Sequence, residues 1–358
     1  MNIGLLIHPC EPDKPGGLGR ANFALSESLL TEQTEHTYTV FIKGQPRPTP
    51  FSSYPNTTVV FLGDGPLWLT GARKLDRTLD AYVFFAPLIP LFFRPKRSIV
   101  IAFDFAFLTM PARSLKHRIG TWFLYLLQAR SLRIATTVLS ISDATRTEAV
   151  RLFGIPSKKI HTIHVGYMTP ATVVQSLEVP ERFFLFAGVL KERKNVAGII
   201  RAFALFHAGH PDFHLIIAGK KEGSYYGSLV HLTEELGIAQ YVRFVGYVSN
   251  EELAYLYQKA IALVFPSLVE GFGMPVLEAM HAGLPVITSN IGALAEVAGD
   301  AALLVNPHDP SDIARALATL AEGESMRDQL RAKGYARAAE FSWQIASREL
   351  TDHLGALE

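Results

Sequence analysis

The stretch from Phe265 to Ile287, FPSLVEGFGMPVLEAMHAGLPVI, constrains the fold more than any other part of the chain. An apolar run, AIALVFP, leads into it and reads as a buried strand. A glycine-rich turn from Glu270 to Pro275, a helical pattern (VLEAMHAG) and a second strand (LPVIT) follow. Strand, tight turn, helix and strand make the repeating unit of a parallel sheet with helices on its faces. Pro275 suits a first helical position, where the missing N–H costs nothing. Gly271 and Gly273 let a ligand approach the main chain, and the N–H groups at a helix start form an anion site. Two carboxylates bracket that site, Glu270 and Glu278. An acid inside the helix start is favoured by the dipole in any case. Glu270 precedes the glycines, gains little from capping, and is therefore read as a ligand-facing group.

The rest of the chain repeats the same grammar. Short apolar runs stand at Ile3–His8, Tyr38–Ile42, Thr57–Leu62, Ala81–Phe85, Ser98–Phe103, Thr137–Ser140 and Phe183–Val189, and again in FHLIIAGK and VRFVGYV. Helical or proline-marked segments separate them, which predicts parallel α/β sheets. At 358 residues the chain exceeds the size at which one core stops growing, so two domains are expected. The linker-like stretch Gly166 to Pro180 sets the boundary. One cysteine, Cys10, forms no internal disulfide and fits a reducing compartment. The N-terminus lacks a basic region and a cleavage site, and no apolar run is long enough to span a bilayer. A cytoplasmic chain is expected, at most attached to a membrane from its cytoplasmic face.

Charge is unevenly spread. Residues 1–170 carry 19 Lys and Arg against 11 Asp and Glu, although the whole chain is only +1. Between Arg94 and Arg133 stand eight bases and a single acid, Asp104. Within that segment, SLKHRIGTWFLYLLQARSLR places Trp122, Phe123 and Tyr125 between basic ends. An interfacial helix on anionic lipid is one reading of residues 94–133. A core helix with solvated ends is the other, because the middle is apolar all round. No motif suggests nucleic acid as a partner.

The stretch around Glu270 closely resembles the signature of retaining glycosyltransferase family 4, in which two glutamates are separated by seven residues, as Glu270 and Glu278 are. The resemblance covers nearly the whole chain and is strongest from Phe183 to Trp343. It implies a GT-B fold of class α/β, with two Rossmann-like domains facing each other across a cleft. Residues 1–170 would form the acceptor-side domain and 171–340 the nucleotide-sugar domain, with 341–358 a last helix crossing back to the first. The resemblance also implies residue roles. In VLKERKN, after the strand that ends at Gly188, Arg193 and Lys194 match the pair that holds the donor diphosphate, followed by Asn195. The chemistry asks for cations there, because charge develops on the departing phosphate. Relatives often carry an arginine directly after the strand glycine; this chain has Val189. Glu278 would accept from the ribose hydroxyls, and Glu270 would face the transferred sugar. The backbone of Gly271, Phe272, Gly273 and Met274 would meet sugar or phosphate, and Gly246 and Tyr247 would flank the base. The loop Gly16-Gly17-Leu18-Gly19 would face the donor from the first domain.

The main departure from the family pattern is in VIAFDFAF, where relatives read His-Asp and this chain reads Phe103-Asp104. Asp104 is retained as a candidate catalytic residue, with a turn-forming role as its alternative. There is no D-x-D motif and no His/Cys/Glu cluster, so no metal and no cofactor are expected beyond the donor substrate itself. The expected activity is retaining transfer of a hexose, with mannose from GDP-mannose first and a UDP-hexose second. The acceptor would be a glycan or a lipid-linked glycan in cell-surface polysaccharide synthesis. A UDP-sugar-dependent glucosyltransferase and a non-catalytic or partner-dependent sugar-nucleotide-binding protein stand as alternatives.

Overall fold

The computed structural model describes residues 1–10, 17–70, 73–109, 114–169, 172–175 and 177–357. These divide into two compact units. The first comprises Met1–Gly166 together with Phe341–Glu358, and the second Tyr167–Glu340. The break falls a few residues ahead of the expected boundary at 170.

The first unit is built on a seven-stranded sheet. Its strands are β1 (Asn2–Ile7), β2 (Thr37–Ile42), β3 (Thr57–Phe61), β4 (Ala81–Phe84), β5 (Ser98–Ala102), β6 (Thr137–Ser140) and β7 (Ile160–Thr162). They run in the order β3-β2-β1-β4-β5-β6-β7, every pairing parallel. β4 and β5 are buried at every position, as expected of strands covered on both faces. Tyr82 packs among Phe41, Phe84 and Phe93 as the aromatic centre of this core. The last helix, Trp343–Gly355, packs on the first, Gly17–Glu32, and a Ser28–Ser347 hydrogen bond of 3.0 Å lies buried between them.

The second unit has a six-stranded sheet of β8 (Phe183–Ala187), β9 (His214–Ala218), β10 (Val242–Gly246), β11 (Ala262–Phe265), β12 (Val286–Ser289) and β13 (Leu303–Val305). The order is β10-β9-β8-β11-β12-β13, again wholly parallel. Both sheets reverse direction of winding next to their first strand, between β1 and β4 and between β8 and β11. Ligands of open parallel sheets bind outside the C-terminal strand ends at such a reversal.

One helix departs from the core reading. Leu115–Ile134 starts at an N-cap in which Ser114 accepts from His117 N, and only its C-terminal half is buried, at Leu127, Ala129, Ser131 and Leu132. Its first six residues are all exposed, and so are Trp122, Phe123, Leu124 and Leu126. Length explains this. Twenty residues of helix extend about 30 Å, whereas the four- and five-residue strands beneath cover only about 15 Å. No described helix is long and apolar enough to cross a membrane.

Candidate functional site

The reversal point of the second sheet is where the two singled-out loops emerge. The chain leaves β8 at Ala187 and runs through Gly188 to a short 3-10 turn, Glu192–Lys194. It leaves β11 at Phe265 and reaches Glu270 within five residues. Backbone and side chains stitch the loops together. Leu268 N donates to Arg193 O at 2.8 Å. Asn195 Nδ2 donates to Pro266 O at 3.1 Å and to Pro307 O at 2.6 Å. Asn195 holds a left-handed conformation (φ 57°), the sole non-glycine residue with positive φ among the described residues. Asparagine tolerates that conformation better than most residues. Gly198 makes room for it, because a Cβ at 198 would stand 2.4 Å from Asn195 Oδ1.

Asn195 is therefore a latch, whatever else it meets. Asn195→Ala should lower stability by about 2–4 kcal/mol, combining left-handed strain with two stranded carbonyls. Thermal unfolding checks this, and Asn195→Gly should recover the strain part. An alanine variant that melts with the wild type would contradict the latch.

Behind the latch lies a buried charge cluster. Arg193 Nη1 donates to Glu270 Oε2 at 2.8 Å and to Val269 O at 3.0 Å. Lys194 Nζ lies 2.5 Å from Glu270 Oε1 and 4.7 Å from the centre of the Phe265 ring. The lysine meets Oε1 as a close charge contact. Burial would push the Glu270 carboxyl up, but the neighbouring charges of Lys194 and Arg193 override it and hold it below the usual carboxylate range. The cluster is thus two cations on one anion, with a net positive charge. Buried charges of this kind persist only when each has a partner.

The helix that follows, Met274–His281, begins as the turn residues demand. Gly273 caps it at φ 134°, and a Cβ there would meet Leu294 Cδ2 at 2.8 Å, so the position admits only glycine without rearrangement. Pro275 sits in the first turn, Gly271 and Phe272 are buried just ahead of it, and Met274 is the first helical residue. Glu278 faces back toward the preceding helix, Asn250–Lys259, where the Tyr257 hydroxyl donates to its Oε2 at 3.2 Å. Tyr257 was not legible as a site residue, because the eight-residue helix between glycine turns carries no sign of what lies behind it. Gly188 N donates to Ala218 O and Gly219 N to Gly246 O, so the ends of β8, β9 and β10 are tied in series. Gly246 ends β10, and Tyr247 is exposed beyond it, on the same C-terminal edge as the charge cluster.

The other candidates belong to the first unit. Gly17 opens the helix after β1 and is exposed, while Gly16 lies outside the described residues. Asp104 follows β5, is exposed, and accepts from Ala106 N at 3.1 Å, the turn-forming role open to it from sequence. Phe103, in place of the expected histidine, is buried. Among the described residues no three or more His, Cys, Asp or Glu side chains are grouped to hold a metal ion.

Residues 172–337 match the family described as Glycosyl transferases group 1. Over 307 residues the chain is 32% identical to the O-antigen chain mannosyltransferase B of Escherichia coli, spanning 80% of this chain and 79% of that protein. Among solved structures, sucrose-phosphate synthase from Thermosynechococcus elongatus superimposes with a TM-score of 0.79 at 20% identity, over 99% of this chain and 98% of that one. Anabaena Alr3699/HepE, solved in complex with UDP-glucose, does so with a TM-score of 0.75 at 17% identity, over 99% of this chain and all of the other. These two likenesses speak for the fold, which is GT-B. The identity to the Escherichia coli protein, sustained over most of both chains, carries more: this chain is a glycosyltransferase and belongs to the group 1 family.

Proposed function

We propose that the chain transfers mannose from GDP-mannose to a growing glycan or lipid-linked glycan of a cell-surface polysaccharide, with retention and without a metal ion. The observation that carries the reading is the pair of cations, Arg193 and Lys194, fixed on Glu270 at the reversal point of the second sheet. In the proposed reaction an acceptor hydroxyl oxygen bonds to the anomeric carbon on the same face that the diphosphate leaves, and gives its proton to the departing diphosphate. The bond between that carbon and the β-phosphate oxygen breaks, and its electron pair leaves with the diphosphate. Arg193 and Lys194 stabilise that charge in a partly dry site, where fixed charges are worth more than in water. Glu270, released from part of their charge, faces the positive charge growing on the sugar. Glu278, steadied by Tyr257, holds the ribose. Mannose is favoured over other hexoses by the likeness to a mannosyltransferase of O-antigen chains.

The test is donor turnover by the purified chain, comparing GDP-mannose with UDP-glucose, with and without excess EDTA. Release of GDP from GDP-mannose, undiminished by EDTA, is expected. A loss that added Mg²⁺ or Mn²⁺ restores would overturn the cation assignment, and turnover of UDP-glucose alone would move the chain to the UDP-sugar reading. Binding of a nucleotide sugar with no turnover would favour a non-catalytic role, in line with the buried Phe103.

A further inference from the structure

The half-exposed helix Leu115–Ile134 presents a surface that the transfer chemistry does not use. Leu115, Ile119, Trp122 and Leu126 recur at helical spacing and form one stripe. They are 70%, 61%, 63% and 42% exposed. A lone exposed leucine needs no explanation, but a contiguous stripe of large apolar side chains marks an interaction site. At about 100° per residue, Lys116 and Arg118 fall on opposite flanks of the stripe, and both are exposed. No acid occurs between Asp104 and Asp143, so the helix itself carries bases and no acid. The loop before β5 adds to it. Arg130, on this helix, donates from Nη2 to Leu91 O at 2.7 Å and from Nη1 to Ile89 O at 3.1 Å, which pins that loop against the helix. The loop holds out Phe92, 69% exposed, followed by the exposed bases Arg94 and Lys96.

We infer that this face lies on an anionic lipid bilayer, with the stripe and Phe92 buried at the headgroup boundary and the flanking bases at its charged surface. Charge complementarity selects the occupant. A second copy seated face to face would oppose bases to bases across a two-fold axis, with no acid on the stripe to pair them. A bilayer offers both things the face asks for, an apolar interior and a negative surface, and a helix with this division of side chains lies in the plane of that boundary. Trp122, amphipathic and exposed mid-stripe, is of the type enriched at that depth.

Co-sedimentation of the full chain with vesicles tests the inference. Vesicles of phosphatidylcholine with phosphatidylglycerol should bring the protein down, and phosphatidylcholine alone should bind it far less. Combined Leu115→Ser, Ile119→Ser and Trp122→Ser should abolish sedimentation, since each buried side chain contributes on the order of tenfold in partition. Combined Lys116→Glu and Arg118→Glu should weaken it by more than the about fivefold per base expected from neutralisation. All these positions are exposed, so the variants should keep the wild-type melting temperature. The inference falls if the wild type ignores anionic vesicles or if the triple serine variant sediments like wild type. It also falls if the wild type is a dimer in solution that the triple variant dissolves, which would assign the face to a second copy.

Discussion

Lys194→Ala should lower kcat by about 10²–10³-fold, the scale for removing one charge contact from a transition state. The lysine is buried, with its ammonium between the Glu270 carboxylate and the Phe265 ring. No water replaces a charge cleanly in such a position. Arg193 stays paired to the other carboxylate oxygen, so Glu270 keeps one partner, and the variant should fold with a reduced melting temperature. Loss of a single partner from a buried ion pair costs about 3–5 kcal/mol where no second partner remains, and less is expected here for that reason. Steady-state kinetics on folded protein, with the melting curve as control, separates chemistry from stability. A folded variant with unchanged turnover would show that the departing diphosphate is stabilised elsewhere.

Glu270→Gln should give the opposite split between binding and chemistry. Both cations, Arg193 and Lys194, are engaged with the carboxylate at 2.8 and 2.5 Å, so on the proposed reading it would compete with the diphosphate for them. Glutamine keeps the size and removes the charge. GDP should then bind at least as tightly as to the wild type, and should raise the melting temperature of the variant by more, since it supplies the anion the cluster has lost. Turnover should nonetheless fall, by about 10²-fold or more, because negative charge is missing where positive charge grows on the sugar. Glu278→Gln serves as the contrast. On the proposed reading Glu278 holds the ribose, which changes little along the reaction, so its loss should chiefly raise donor KM.

Most strands could be read from the sequence to within two residues, because their apolar runs are bounded by Gly, Pro and charged residues. β7 and β13 were not singled out, since Ile160–Thr162 and Leu303–Val305 are too short for any period to register. The helix from Leu115 was legible as a helix, with the interfacial and core readings both open, since an apolar middle looks the same whether it faces a core or a surface. Glu270, Arg193 and Lys194 could each be picked out by residue type and local turn. Their mutual pairing could not, because Arg193 and Glu270 stand 77 positions apart. Only the strand order, which sets β8 beside β11, brings their loops together. Asn195 shows the reverse case: a residue singled out for a ligand whose side-chain amide is committed to two carbonyls of its own unit.

Calorimetric titration of GDP into the wild type, Glu270→Gln and Lys194→Ala tests the central claim, that one carboxylate and two cations form the diphosphate site. Affinity for GDP should be equal or higher in Glu270→Gln and clearly lower in Lys194→Ala, with UDP weaker throughout. If Glu270→Gln loses GDP binding while Lys194→Ala retains it, the cluster is not where the diphosphate binds.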